Sequence, residues 1–138
     1  MKYKNITYKY DVDYVDILWK DRPSLPMSKA FILDVKYAGK SIQEKIDDVR
    51  KLMMEKNVTK HIVTSLDDIA WLLNIRGKDA ESNPVLLSYI MIGLDSIYFY
   101  VKSEKIDESV NQYLIENGVV IKDYDDIYND VKSLENDT

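Results

Sequence analysis

Residues Leu66–Gly93 read LDDIAWLLNIRGKDAESNPVLLSYIMIG, a Trp-bearing apolar segment, a polar loop and a hydrophobic run in direct succession. Ser65 precedes the first segment as an N-cap residue, and Asp67 and Asp68 fall in the first turn, where the helix dipole favours negative charge. Apolar residues at Leu66, Ile69, Leu72 and Leu73 then predict a helix over Leu66–Asn74. Arg76 stands where a cation offsets the C-terminal dipole, and Gly77 suits a left-handed cap. Asp79, Asn83 and Pro84 read as loop, since Asn-Pro is ordinary turn chemistry. Beyond it, Val85–Ile92 and Ile97–Val101 flank the turn sequence GLDS and predict an antiparallel hairpin of central strands, covered on both faces.

Outward from this stretch, helical and strand periods alternate. Asp11–Lys20 is weakly amphipathic and stops at DRPSLP, because Pro23 and Pro26 forbid its continuation. From Ala30 to Tyr37, alternation of Phe31, Leu33, Val35 and Tyr37 with polar or smaller neighbours predicts a half-buried strand closed by Gly39. Ser41 and Glu44 form a capping-box pattern ahead of Ile42, Ile46, Val49, Leu52 and Met53, a helix ending near Asn57. His61–Thr64 is a short strand, Asp107–Glu116 a helix stopped by Asn117-Gly118, Val119–Lys122 a strand and Asp126–Leu134 a last helix. This order predicts an α/β fold, a mixed β-sheet flanked by helices.

The 138 residues are enough for one cored domain without disulfides. A net charge of -5 and the absence of a basic cluster argue against nucleic acid as a partner. No cysteine is present, so thiol chemistry is excluded. The longest apolar run is far shorter than a bilayer span, and no signal pattern opens the chain, so the expected location is cytoplasmic, with no membrane partner.

Local chemistry is sparse. His61 is the single histidine and lies outside any metal-ligand spacing. The pairs Asp47-Asp48, Asp67-Asp68 and Asp125-Asp126 are adjacent in sequence, so on a helix they diverge by about 100° and cannot share a proton. Phosphate loops, dinucleotide fingerprints and nucleophile elbows are all missing. Read from its residues, the chain is an α/β domain without catalytic equipment of its own.

Two segments carry a resemblance. LWKDRPSLP at Leu18–Pro26 and the stretch Leu66–Gly93 together resemble the three-domain Xaa-Pro aminopeptidases, the aminopeptidase P type. The pairing of Trp19-Lys20-Asp21-Arg22-Pro23 with Trp71-Leu72-Leu73-Asn74 through Arg76-Gly77 and Asp79, followed by Asn83-Pro84, is more specific than either alone. The resemblance implies a creatinase/prolidase N-terminal-domain-like fold with a ribonuclease H-like motif. It further implies that residues 1–26 are the tail of a preceding domain plus linker, and that 27–138 form the middle domain, expected to be truncated at its C-terminus.

In that family two divalent metal ions, usually manganese, are held by two Asp, one His and two Glu of a C-terminal catalytic domain. None of that domain is in this sequence, so no cofactor is expected in this chain. The implied partners are its own catalytic domain and peptide substrates with proline at the second position, with a homodimer through an unpaired sheet edge as a further expectation. Trp71, Arg76, Asp79 and Asn83 are the expected rim of the substrate cleft or of the interdomain contact. Each also has a structural reading: Trp71 as a packing residue among Ile69, Leu72 and Leu73, Arg76 as dipole partner, Asp79 and Asn83 as loop. Prolidase and creatinase share the fold, but the Trp-x-Asp-Arg-Pro linker points to the aminopeptidase. A stand-alone interaction module lacking a catalytic domain is the alternative from another class.

Overall fold

A computed structural model describes residues 7–9 and 11–134. The expected domain division at residue 26 therefore has its first six residues, Tyr10 and its last four residues outside the described part. Helix α1 (Tyr14–Leu18) forms within the sequence-predicted Asp11–Lys20 segment, where Asp13 caps it by accepting from Val15 N and Asp16 N. It buries none of its residues. Arg22 folds back to Asp13 and Asp16, so the segment closes on itself ahead of the prolines.

The predicted strand over Ala30–Tyr37 is corrected to a two-residue strand β1 (Phe31–Ile32) followed by a helical turn α2 (Val35–Ala38). The reason is local. Asp34 accepts from Lys36 N, which gives the backbone an alternative to a ladder, and Gly39 at φ 81° ends the turn. Val35 and Tyr37 are exposed, so the alternation of apolar residues there never corresponded to a buried face.

Helix α3 (Ile42–Glu55) has the expected capping box, with Ser41 accepting from Glu44 N while the Glu44 side chain reaches back to the cap backbone. Strand β2 (Lys60–Val63) and helix α4 (Leu66–Leu73) follow, then a two-residue strand β3 (Ile75–Arg76) that periodicity does not reveal. The hairpin forms from β4 (Tyr89–Gly93) and β5 (Ile97–Tyr100), closed by Gly93 N donating to Ser96 O at 2.8 Å. Val85, Leu86, Leu87 and the polar Ser88 precede the strand instead of belonging to it. After a short tight turn at Ser103–Lys105 come helix α5 (Glu108–Glu116), strand β6 (Val120–Lys122) and helix α6 (Asp126–Ser133).

The main sheet has the order β2-β4-β5-β6, antiparallel except for the parallel β5–β6 pair. The expected mixed sheet flanked by helices is thus the observed architecture. On one face Ile90, Ile92 and Phe99 pack against Ile46, Ile69, Leu73 and Leu114 from three helices. On the other, Met91 and Tyr100 pack against Ile127 of α6. Because β4 is covered on both sides, its residues are apolar without alternation, and each fully buried aliphatic side chain contributes roughly 1.5–3 kcal/mol. Apart from this sheet, β1 pairs antiparallel with β3, matching Phe31 to Arg76 and Ile32 to Ile75.

Candidate functional site

The C-terminus of α4 is the first element to build from. Its N-terminus carries Asp67 and Asp68 in the first turn as expected, but Ser65 makes no side-chain capping bond. The helix is closed by Asn74, in the left-handed region at φ 52°, so the predicted left-handed cap at Gly77 is corrected by three residues. Asn tolerates this conformation because its short amide bonds locally. Here Asn74 Nδ2 donates to Lys40 O at 2.9 Å, and Lys45 Nζ donates to Asn74 Oδ1 and Trp71 O, each at 2.5 Å.

Lys45 is 1% exposed and has no carboxylate in its hydrogen-bond set. Its charge is met by the carbonyl end of α4, by an amide oxygen and by the Trp71 ring, whose centroid lies 4.5 Å away. Burial, with Arg76 and Lys40 nearby, holds its ammonium below the ordinary lysine value. Trp71 itself is 48% exposed, which corrects its reading as a core packing residue. It is the lid over Lys45, and its outer side lines a small hollow with His61 and Asp68.

Arg76 lies on β3, and its Nη1 donates to Ala70 O and, at 2.9 Å, to Ile75 O. Its expected role toward the helix dipole therefore holds in part, from a strand position and not from the helix terminus. Gly77 is required by close approach: a Cβ there would stand 2.2 Å from Leu86 Cδ2 and 3.1 Å from Val85 O.

Asp79 is the most heavily used side chain of the loop. Its carboxylate is 0% exposed and accepts from Ser28 N at 3.1 Å, Ser28 Oγ at 2.7 Å, Leu87 N at 2.8 Å and the Lys105 ammonium. Lys105 is 1% exposed. Removing two such ions from water costs several kcal/mol each, and this arrangement is stable because both carboxylate oxygens are fully used. Burial pushes the Asp79 carboxyl up, but the bonds from Lys105, Ser28 and Leu87 outweigh it and hold the carboxyl below its ordinary value.

Beyond Asp79 the loop opens. Gly77 N bonds Pro84 O and Asp79 N bonds Val85 O, so residues 77–85 close on themselves around an open depression of about 410 Å³. Phe31, Ala80 and Pro84 supply apolar lining, while Lys78, Glu81 and Asn83 supply polar groups. Asn83 Nδ2 also donates to Asp67 Oδ1 at 3.0 Å, tying the loop tip to the start of α4.

The four predicted site residues thus do not converge. Asn83 borders the depression, Asp79 is buried beneath the loop, Arg76 turns back to α4, and Trp71 covers Lys45. Sequence reasoning missed Lys45, Lys105, Ser28 and Phe31. Lys45 had a signal, since it falls on the apolar stripe of α3 between Ile42 and Ile46. The others had none, because their partners are tens of residues away.

Residues 21–138 match the family model described as creatinase/prolidase N-terminal domain. Over 123 residues, 88% of the chain, the sequence is 44% identical to a probable Xaa-Pro aminopeptidase P of Sordaria macrospora and 42% identical to one of Neurospora crassa, covering 20% and 18% of those proteins. Among solved structures, the X-prolyl aminopeptidase of Caenorhabditis elegans, a cytosolic enzyme with a di-nuclear active site, superimposes with a TM-score of 0.85 at 32% identity. That match covers 88% of this chain and 20% of the nematode enzyme. The chain spans about one fifth of the length of the relatives it matches.

Proposed function

The chain belongs to the creatinase/prolidase N-terminal domain family, and from that premise we propose that it is the non-catalytic middle domain of a metal-dependent Xaa-Pro aminopeptidase, an enzyme that releases the N-terminal residue ahead of proline. The observation that supports this reading most strongly is the superposition of 88% of the chain on one fifth of an X-prolyl aminopeptidase at a TM-score of 0.85. A domain that small a part of the enzyme has room to shape a cleft while another part performs the chemistry.

The metal donors fit this division. Among the described residues no group of three or more His, Cys, Asp or Glu side chains could hold an ion, and His61 is exposed on β2. That donor set does not fit a two-metal centre, so in this proposal the two ions, manganese by resemblance, are held by the catalytic domain and no chemical step passes through this chain. Its contribution is binding: the Gly77–Pro84 loop offers an apolar floor for a peptide side chain and the Asn83 amide for a peptide backbone. No helix of the described residues is long and apolar enough to cross a membrane, and a cytoplasmic location is part of the proposal.

Manganese calorimetry and an Xaa-Pro-Xaa tripeptide assay on the purified 138-residue chain, run beside a full-length relative, test the division of labour. The chain is expected to show neither tight binding nor turnover while the relative shows both. Manganese-dependent turnover by the chain alone would overturn the proposal.

A further inference from the structure

The ends of the buried ion pair belong to segments that are remote in sequence. Asp79 sits at the base of the Gly77–Pro84 loop, and Lys105 ends the tight turn that leads into α5. Ser28 joins them from the N-terminal side, donating its N–H and its hydroxyl to Asp79 while its Oγ accepts from Lys78 N at 2.8 Å. Next to it Ala30 N donates to Lys105 O at 2.8 Å, and Lys29 Nζ donates to Glu104 O.

Among the described residues, the hydrogen bonds and ion pairs of 11–27 stay within that segment. Among the described residues, Ser28 is therefore the first of the arm to hydrogen-bond to the domain. A buried carboxylate and ammonium tolerate only a fully satisfied geometry, because either group left without its partners is an uncompensated charge in a low-dielectric interior. Partial loosening is costly, so the contacts of Asp79 are made or broken together.

We propose that Asp79 and Lys105 form a latch that couples the seating of the N-terminal arm at Ser28 to the shape of the Gly77–Pro84 loop. Displacement of the arm withdraws two of the four donors from Asp79, and the carboxylate then has to leave its site and carry the loop with it. The depression beside Phe31 thereby senses the position of whatever precedes Ser28. This coupling rests on the geometry of the chain alone and holds or fails independently of the peptidase assignment.

Amide hydrogen exchange on the chain tests it, because a merely local contact and a latch give different patterns. Ser28→Ala removes one donor on the arm and is expected to raise exchange at Leu87 and Asp79 by about tenfold, more than 50 residues away in sequence, while Phe99 in the central strand stays protected. Ser28→Thr, which keeps the hydroxyl, is expected to restore wild-type exchange at both sites. As a control for general destabilisation, Ser41→Ala removes the N-cap of α3, outside the Asp79 network, and is expected to leave the ratio of Leu87 to Phe99 exchange unchanged. Wild-type protection of Leu87 and Asp79 in Ser28→Ala, or an equal rise at Phe99, would overturn the latch.

Discussion

Lys45 and Lys105 are both 1% exposed, yet the protein accommodates the two charges in different ways. Lys105 faces a carboxylate that also takes a hydroxyl and two backbone N–H groups. Lys45 faces only neutral oxygens at the end of α4 and one aromatic ring. The first arrangement stores two ions whose solvation must be replaced completely, so it is rigid and fails as a unit. The second holds one ion with dipoles and an exposed indole, and it loses strength gradually. Only Lys105 anchors the polar loop, which is buried at Asp79 and held at its open tip by the single exposed Asn83–Asp67 bond.

The largest test of this contrast is removal of one partner from each site. Asp79→Ala leaves Lys105 buried without its anion and is expected to cost about 3–5 kcal/mol in urea denaturation. Lys45→Met removes the charge together with its desolvation, leaving two oxygens short of a donor, and is expected to cost about 2 kcal/mol. Equal losses would erase the distinction between the sites.

The pH dependence separates the sites further. The Asp79 carboxyl is held below its ordinary value in the fold, so its contribution is complete above about pH 4 and disappears as pH falls through the folded value. Acid titration of stability should therefore show a loss in wild type that Asp79→Asn lacks. Lys45 acts in the same direction but in an alkaline window, because a depressed ammonium likewise means that the unfolded chain binds more protons. The advantage of wild type over Lys45→Met should grow with pH up to about 10.4. A gap that shrinks over that range would contradict the burial of a charged Lys45.

A smaller effect is expected at the ring above Lys45. Trp71→Ala removes a half-exposed indole and one cation–π contact and should cost about 1 kcal/mol, well below the 3–5 kcal/mol of a buried aromatic. A loss in the larger range would return Trp71 to the core.

What the sequence disclosed was set by range. The capping box of Ser41 and Glu44, the hairpin around Gly93–Ser96 and the stop at Asn117-Gly118 are written within a few residues, and each appears in the fold. Ala30–Tyr37 misled because alternation of apolar residues is read as burial, whereas Asp34 turned the backbone and left Val35 and Tyr37 in solvent. Gly77 was legible as a special position but for the wrong cause, since the constraint comes from Leu86 packing against it and not from its own φ. Asp79 looked like loop polarity. Its partners Ser28, Leu87 and Lys105 come from three separate segments, and no local pattern announces such a meeting. Of the expected site residues, only Asn83 faces the open depression.

The central proposal is that this loop, fastened at the buried Asp79, presents an open rim at Asn83 to a peptide cleft of the parent enzyme. It is tested most directly by Asn83→Ala in the intact enzyme, with thermal stability and kcat/KM for Xaa-Pro peptides measured on the same preparation. Asn83 makes a single exposed side-chain bond, to Asp67, worth on the order of 1 kcal/mol. The expected outcome is a Tm within a few degrees of wild type and a kcat/KM lower by roughly tenfold, the loss of about 1.4 kcal/mol from the transition-state complex. Wild-type kcat/KM on both short and long peptides would contradict it and leave the loop with a structural role alone.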